Sequence, residues 1–251
     1  MSKSPTPSDP AAKPDYGMDG PDFLYGFLLA GAIGLTTGFL LRARGRGTPD
    51  TVASFALLAG GGVCAALGAM MTAYWLGGKL RVRDYLLNRI AWRGDETVLD
   101  VGVGRGLLAI GAAKRLTTGR VIGIDIWNAA DLSGNGAAGA ARNAAIEGVS
   151  DKIELVTADA RRMGFADASF DVVLSLLCLH NIEPESDRTV ACHEIARVLK
   201  PGGTVLIGDY VPTGDYAKAL ADAGLTVRST APRFVEAYSL MWVTEAVKPG
   251  A

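Results

Sequence analysis

The feature that most constrains this chain is a pair of long apolar runs that contain no charged residue. They span residues 23–41 and 51–78. At about 1.5 Å per helical residue, each run is long enough to cross a hydrocarbon core of roughly 30 Å. The segment between them, residues 42–50, is short and holds three arginines, two glycines and a proline. The sequence therefore predicts a transmembrane helical hairpin over residues 23–78.

Two other interpretations of these runs compete with the hairpin. The first run could be the apolar part of a secretory signal, but Asp15, Asp19 and Asp22 precede it where a signal carries basic residues. Both runs could instead be buried helices of a soluble protein, which uninterrupted apolar stretches of this length disfavour. A membrane hairpin remains the expectation.

Small residues recur at helix-face spacing in both runs. Gly34 and Gly38 form a GxxxG pair in the first run, while Gly61, Ala65 and Ala69 share this spacing in the second. Such residues let two helix backbones approach closely in lipid. We expect the two helices to pack against each other within one chain rather than to drive self-association.

The segments that flank the hairpin differ in character. Residues 1–22 have no apolar run and are rich in proline and polar residues, so a flexible tail is predicted there. Residues 79–92 are predicted to form a basic amphipathic helix. That helix could rest on anionic lipid headgroups, or it could be the first helix of the following domain with a solvated basic face. Both roles are compatible.

Charge and cysteine usage exclude several classes of function. The net charge is −1, so no general basic field indicates a nucleic-acid partner. Three widely spaced cysteines form no CxxC pair, so neither a disulfide framework nor a zinc site is predicted. No other metal site is expected.

Residues 79–251 are predicted to form an α/β domain, because apolar strands alternate with helical segments. This alternation is typical of a doubly wound, seven-stranded and mostly parallel sheet. The last two strands have no helix between them, so one of them should run antiparallel to its neighbour. The predicted strands are 97–101, 120–124, 152–157, 170–176, 203–208, 225–229 and 238–245, and the predicted helices are 106–115, 137–147, 186–199 and 216–223.

A glycine-rich turn after the first strand carries the strongest local signal. Asp100 is followed by Gly102, Gly104 and Gly106 in a GxGxG spacing, at the start of a predicted helix. Glycines let the backbone approach a ligand, and a helix N-terminus offers free N–H donors. A carboxylate at Asp100 would repel a pyrophosphate but attract the ammonium group of an amino acid. The pattern therefore favours S-adenosylmethionine (SAM) over a nicotinamide dinucleotide.

Two more acidic residues end the next two strands. Asp125 is placed to accept hydrogen bonds from a ribose diol, with Ile126 beside it to cover an adenine ring. Asp159 could accept from the adenine amino group. A strand-end aspartate can also simply cap the helix that follows it.

The three acidic strand ends, with Phe170-Asp-Val-Val-Leu-Ser175 and Leu199-Lys-Pro-Gly-Gly203, resemble the Rossmann-like (class I) SAM-dependent methyltransferases. The likeness covers residues from about 79 to 247, not the hairpin. Within that family the domain looks most like the ubiquinone/menaquinone C-methyltransferase branch and related small-molecule enzymes. The resemblance implies cofactor contacts by Asp100 and Gly102 at the methionine portion, Asp125 at the ribose, Asp159 and Ala160 at the adenine, and Ser175 beside the sulfonium.

Two segments of the sequence differ from the family pattern, and both bear on which molecule accepts the methyl group. Residues 127–136 are longer than the usual link after the ribose-binding aspartate, and are either an ordered loop over the site or a solvated turn. The Asn/Asp-Pro-Pro-Tyr motif of base methyltransferases is missing after the fourth strand, which disfavours nucleic acid. His180 stands there instead, and histidine titrates nearest neutral pH, so it could act as a general base. Equally, it could cap the next helix.

The sequence as a whole predicts an integral membrane methyltransferase with its catalytic domain in the cytoplasm, where SAM is available. Its acceptor is expected to be small and lipophilic, because the anchor raises its effective concentration at the bilayer. A SAM-binding membrane protein without turnover, and an anchored enzyme for a soluble acceptor, are the alternatives. Topology is ambiguous by the positive-inside rule, since Arg42, Arg44 and Arg46 in the loop oppose the basic residues after the second run.

Overall fold

The computed structural model describes residues 13–45, 47–238 and 240–250. Two long apolar helices, α1 and α2, precede an α/β domain with seven strands. The helices are α1 Pro21–Arg44, α2 Thr48–Ala73, α3 Lys79–Leu87, α4 Leu107–Ala113, α5 Ala137–Ile146, α6 Ser186–Val198 and α7 Gly214–Asp222. The strands are β1 Thr97–Val101, β2 Arg120–Asp125, β3 Ile153–Thr157, β4 Phe170–Leu176, β5 Leu199–Asp209, β6 Thr226–Arg233 and β7 Met241–Val247.

The sheet has the strand order β3-β2-β1-β4-β5-β7-β6. Strands β1 to β5 are parallel, because each crossover between them returns the chain to the same edge, whereas β7 is antiparallel to both β5 and β6. The predicted α/β architecture with one antiparallel strand is therefore confirmed. β6 and β7 run further toward the C-terminus than predicted.

Both faces of the sheet are covered. Successive strand residues point to opposite faces, so Val98 packs with α3 and α4 while Leu99 packs with α6 and α7. Strands buried on both faces explain why the sequence shows continuous apolar runs there rather than alternation. The carboxyl ends of the parallel strands are left free to form a site.

The two apolar helices pack along their small residues. A Cβ added to Gly34 would lie 2.9 Å from the Cα of Gly61, and one added to Gly31 would lie 2.8 Å from the backbone nitrogen of Ala65. Only glycine allows this separation, as expected for small-residue packing. The large side chains of both helices point outward, and only 22% and 17% of their most apolar windows are buried. These helices are thus not the core of this domain, and by length and composition they could cross a membrane.

The second apolar helix does not stop at the domain boundary. From Thr48 to Leu87 the helix is continuous over 40 residues, through one π-helical turn at Tyr74–Gly78. It ends at Leu87, five residues before the predicted end, where Trp92 Nε1 donates to the Leu87 carbonyl at 2.8 Å.

The segment before α1 also differs from the predicted flexible tail over residues 1–22. Residues 1–12 lie outside the described residues, but 13–20 lie along the α/β domain. Asp15 exchanges two hydrogen bonds with the Asn143 side chain, and Tyr16 donates its hydroxyl proton to Glu147. We call residues 15–20 the N-terminal strap. Composition did not predict its order, because its partners are polar groups on distant helices rather than an apolar face of its own.

Candidate active site

The glycine turn after β1 shapes the centre of the site. Gly102, Gly104 and Gly106 have φ values of 75°, 52° and 87°, which side chains disfavour. Gly102 donates its N–H to the Ile124 carbonyl at 2.8 Å, which fixes the turn against β2. A Cβ at Gly102 would lie 2.4 Å from the sulfur of Cys178. Glycine is therefore required here for both conformation and space.

A cavity of about 330 Å³ opens beside this turn at the carboxyl edge of the sheet. This volume is at the lower end of the range for small-molecule sites. Six of the ten residues predicted for the site line it: Gly102, Gly104, Asp125, Ile126, Asp159 and Ala160. The wall also includes Asn128, Asp131, Leu132 and Asn135 from the 127–136 loop. Other wall residues, which were not predicted for the site, include Asp19, Leu176, Leu177 and Cys178.

Asp125 is held rigidly at the end of β2. Its carboxylate accepts the N–H of Gly104 at 2.8 Å and that of Trp127 at 2.6 Å. The side-chain nitrogen of Asn135 lies 3.4 Å away, and the Asn135 Oδ1 is buried without a hydrogen-bond partner. An acceptor oxygen left unpaired beside an oriented carboxylate suits a ligand that brings hydroxyl donors. A ribose diol meets that requirement.

Asp159 is engaged by a neighbouring arginine. Arg161 contacts both carboxylate oxygens, with its shortest contact at 2.6 Å, and these hydrogen bonds hold the pKa of Asp159 below its ordinary value. Arg161 also bonds Asp187 at 2.8 Å. The carboxylate therefore remains ionised and is held at the cavity wall by the arginine. Ala160, next in the chain, is nearly buried and contributes to the wall.

Asp100 lies behind the glycine turn, in the wall of a second and smaller cavity of about 50 Å³. It is buried and accepts the N–H of Ala109 at 2.8 Å. Burial raises the pKa of this carboxyl from 3.8 to about 7, while the Ala109 hydrogen bond opposes the rise. A nearby ammonium group would favour its ionised form. The two cavities share the wall formed by Asp19, Gly102, Gly104, Leu132, Leu176 and Leu177.

The smaller cavity also contains a buried lysine that the sequence analysis did not identify. Lys79 is only 4% exposed, and its ammonium donates to the carbonyls of Gly17 at 2.8 Å and Tyr16 at 3.2 Å. The Asp19 carboxylate lies 2.8 Å from it as an ion pair, although its oxygen is not aligned as in a directed hydrogen bond. Arg105 supplies a second cation in the same wall. Anionic and cationic groups together match the amino-acid end of SAM.

The loop at residues 127–136 is an ordered wall of the main cavity. The N-terminal strap pairs with it: Ser133 donates its N–H to the Met18 carbonyl at 3.0 Å, and Gly20 donates to the Asp131 carbonyl at 3.1 Å. Met18 returns a hydrogen bond to the Ser133 hydroxyl at 2.8 Å. Of the two interpretations given for this loop, the structure therefore matches the ordered one.

His180 lies beside the cavity but not in its lining. It is in a short 3₁₀ turn after β4, with the ring 11% exposed and 4.3 Å from the ring of Tyr210. Its Nδ1 is 2.7 Å from a carboxylate oxygen of Asp209. The oxygen is off the ring N–H direction, so the two groups are in close contact without an aligned hydrogen bond.

Asp209 contacts His180, Tyr210 and Tyr216, and the sequence analysis did not identify it. It ends β5, is fully buried, and accepts from the Tyr210 N–H at 2.8 Å and the Tyr216 hydroxyl at 3.3 Å. Burial, followed by the Asp209 charge, raises the pKa of both tyrosines. Asp209 is a fourth acidic strand end, a repetition of the pattern at Asp100, Asp125 and Asp159 that could have revealed it.

Besides Asp100 and His180, two more predicted residues do not line the main cavity. Ser175 is fully buried, and its hydroxyl donates to the Val101 carbonyl at 3.0 Å, so its side chain faces away from the cavity in which it was expected to border the sulfonium. The next three residues, Leu176, Leu177 and Cys178, do line the cavity. Gly106 lies at the start of α4, below the lining, where it ends the turn.

Part of the α/β domain is similar to known methyltransferases. Residues 99–207 match a family model described as a methyltransferase domain. The 27-O-demethylrifamycin SV methyltransferase of Amycolatopsis mediterranei is 34% identical over 146 residues, which are 57% of this chain and 49% of that protein. A ubiquinone/menaquinone biosynthesis C-methyltransferase of Roseobacter denitrificans is 27% identical over 128 residues, 51% of this chain and 48% of that protein. This chain thus spans about half the length of either relative.

A solved structure shows the fold across a wider part of the chain. The (4+2)-cyclase SpnF aligns with a TM-score of 0.56 and 20% identity, covering 68% of this chain and 81% of that one. At this identity the likeness establishes the architecture alone. That protein is a cyclase, so this architecture is not restricted to methyl transfer.

Proposed function

We propose that this chain, whose residues 99–207 match a methyltransferase domain model, is a class I SAM-dependent enzyme that methylates a small lipophilic acceptor from a lipid bilayer. In this proposal α1 and α2 span the membrane and the catalytic domain lies in the cytoplasm. The observation that carries it is the position of the helices: they join the domain at the same edge of the sheet as the cofactor cavity.

Three contacts support that placement. Lys79, the first residue after the π-helical turn, binds the strap that walls the cavity. A Cβ on Gly78 would lie 2.3 Å from the Ala237 carbonyl, so the helix touches the connection between β6 and β7. That connection is at the carboxyl edge too, because Trp242 in β7 pairs with Asp209 at the end of β5. A cavity mouth beside the membrane helices suits an acceptor that partitions into lipid.

The exposed surface of the helices supports a bilayer as their environment. Most of their large apolar side chains face outward, including Phe23, Leu29, Phe39, Val52 and Val63. A continuous apolar surface of this extent is not stable in water and marks an interaction site. Tyr25 and Trp75, at the end of the hairpin next to the α/β domain, are aromatic residues of the type found at membrane interfaces.

SAM, when bound, supplies an electrophilic methyl group. The residues of this chain would orient it: Asp125 at the ribose, Asp159 and Ala160 at the adenine, and Asp100 with Lys79 at the amino-acid end. Methyl transfer depends chiefly on alignment and exclusion of water, which the strap and the 127–136 loop provide by covering the cavity. An acceptor hydroxyl or acidic carbon must also lose a proton. His180 is the candidate to take it, with Asp209 stabilising the resulting imidazolium.

The loop between the helices is the weakest match to this topology. Arg42 and Arg44 would face the non-cytoplasmic side, against the positive-inside tendency. Arg42 stacks over the ring of Phe55 at 4.6 Å, a contact suited to an interfacial position on either side. We place the domain in the cytoplasm because SAM is made there.

The test uses the full chain in lipid nanodiscs with methyl-labelled SAM and a lipid extract, followed by mass spectrometry. Label in a lipid-soluble product supports the proposal. Label only in water-soluble products would instead favour an anchored enzyme for a soluble acceptor. SAM binding without labelled product in either fraction would favour a SAM-binding membrane protein without turnover. Asp125→Ala is the control that must lose the labelled product.

A further inference from the structure

The connection between β6 and β7 exposes a compact group of large apolar side chains. Phe234, Val235, Tyr238 and Leu240 are all exposed, and Val235 reaches 68%. Single exposed apolar residues are ordinary on protein surfaces, but a contiguous group indicates a contact surface. We call residues 234–238 together with Leu240 the β6–β7 turn.

This turn is packed against the end of the second apolar helix. Ala237 is fully buried there, with its carbonyl against Gly78. The ring of Tyr238 lies 4.0 Å from the position of a Cβ on Gly77, and the Arg81 guanidinium stacks over the same ring at 4.9 Å. The exposed apolar surface of the turn is therefore continuous with that of the helix.

The helix presents matching side chains beside the turn. Leu76 and Leu80 are one helical turn apart, on one face, and both are exposed. Arg81 and Arg233 lie at the border, each stacked on a tyrosine ring. Apolar side chains bordered by aromatic rings and arginines are typical of a surface that enters the headgroup region of an anionic bilayer.

We infer that the β6–β7 turn is a third membrane contact, which inserts Phe234 and Val235 into the interfacial layer of the bilayer that α1 and α2 cross. This inference rests on the proposed membrane span of those helices. The bilayer is the occupant that the structure favours, because the helix that touches the turn already holds it at the lipid surface. The contact would hold the α/β domain in an orientation in which the carboxyl edge of its sheet faces the lipid.

The test places a fluorescent label at one position at a time in the full chain, reconstituted in vesicles of phosphatidylcholine and phosphatidylglycerol with spin-labelled quencher lipids. A Cys64→Ala background removes the thiol in α2, and burial raises the pKa of the Cys178 and Cys192 thiols, which slows their labelling. Val235→Cys and Leu240→Cys report on the turn. Ile33→Cys, exposed in α1, reports on the hairpin, and Thr118→Cys, exposed at the opposite edge of the sheet, is the aqueous control.

We expect strong quenching at residues 33, 235 and 240, and none at 118. Quenching at 33 with none at either turn position would overturn the inference while leaving the membrane hairpin intact. Absence of quenching at residue 33 would contradict the proposed membrane span of α1 and α2. Two label positions in the turn keep the test decisive if one variant fails to fold, and retained SAM binding verifies the fold of each.

Discussion

The ammonium of Lys79 lies 2.8 Å from the carboxylate of Asp19, and this pair joins the two ends of the apolar hairpin. Asp19 lies two residues before the start of α1, and Lys79 follows the π-helical turn after α2. Both side chains line the smaller cavity. The base of the hairpin is therefore part of the cofactor site rather than a tether attached to it.

Removal of the strap should weaken cofactor binding. A chain that begins at Lys79 lacks the strap, so the part of the cavity wall that the strap forms is missing. We expect it to be released from membranes but to bind SAM less tightly than the full chain, as measured by calorimetry. Equal affinity would show that the strap does not contribute. Lys79→Met in the full chain should show the same loss, while Lys218→Met, which breaks the exposed pair with Asp222, should not.

Asp125→Ala should weaken SAM and its demethylated product alike. Loss of hydrogen bonds to a charged acceptor costs roughly 1.5–3 kcal/mol, about ten- to a hundredfold in affinity. Because Asp125 also holds the Gly104 N–H, thermal unfolding should accompany the calorimetry. Asp151→Ala, at an exposed site before β3, is the matched control. Unchanged SAM affinity in Asp125→Ala would contradict the ribose assignment.

Asp100 should make stability depend on pH. Its carboxyl titrates near 3.8 when unfolded and at about 7 in the folded domain. Between these values the folded state binds more protons, so the free energy of unfolding should fall as pH rises through this window. Asp100→Asn should flatten that part of the curve in denaturant titrations at several pH values.

The same carboxyl should release a proton when the SAM ammonium binds next to it at pH 6–7. Calorimetry in buffers of different ionisation enthalpy measures this release. A binding enthalpy independent of the buffer would place the ammonium elsewhere.

His180→Ala should lower turnover by roughly 10²–10⁴-fold if His180 accepts the acceptor proton, with little change in SAM affinity. Turnover of the parent enzyme should rise with pH as its general base loses a proton, and the variant should lose that rising limb of the profile. Asp209→Asn should move the rising part of the pH profile to a different pH and not abolish it, because Asp209 positions the His180 ring. If His180→Ala keeps the full pH profile, the histidine has a structural role only.

Arg44→Cys tests the orientation of the hairpin. In a background without the native cysteines, it should react with an impermeant thiol reagent applied to intact cells. Reaction only after permeabilisation would place the loop in the cytoplasm and reverse the topology.

Much of the α/β domain could be predicted from the sequence, because buried parallel strands leave apolar runs and each crossover leaves a helix. The glycine turn, Asp125 and Asp159 were predictable for the same reason: parallel strands bring their carboxyl ends to one edge. Ser175 was misplaced because strand position alone does not tell which neighbour a side chain meets. Lys79 and Asp19 were missed because they are 60 residues apart and meet only once the hairpin has folded. Neither belongs to a local motif.

The unbroken helix from Thr48 to Leu87 has a mechanical consequence. At about 1.5 Å per residue, its 40 residues form a rod of about 60 Å. One end would lie in lipid, and the other packs under the sheet beside the cavity. A rod transmits tilt, whereas a flexible linker absorbs it. Helices adjust their tilt to bilayer thickness, so thinning or thickening of the membrane should rotate the cavity mouth with the rod and change the depth at which an acceptor meets it.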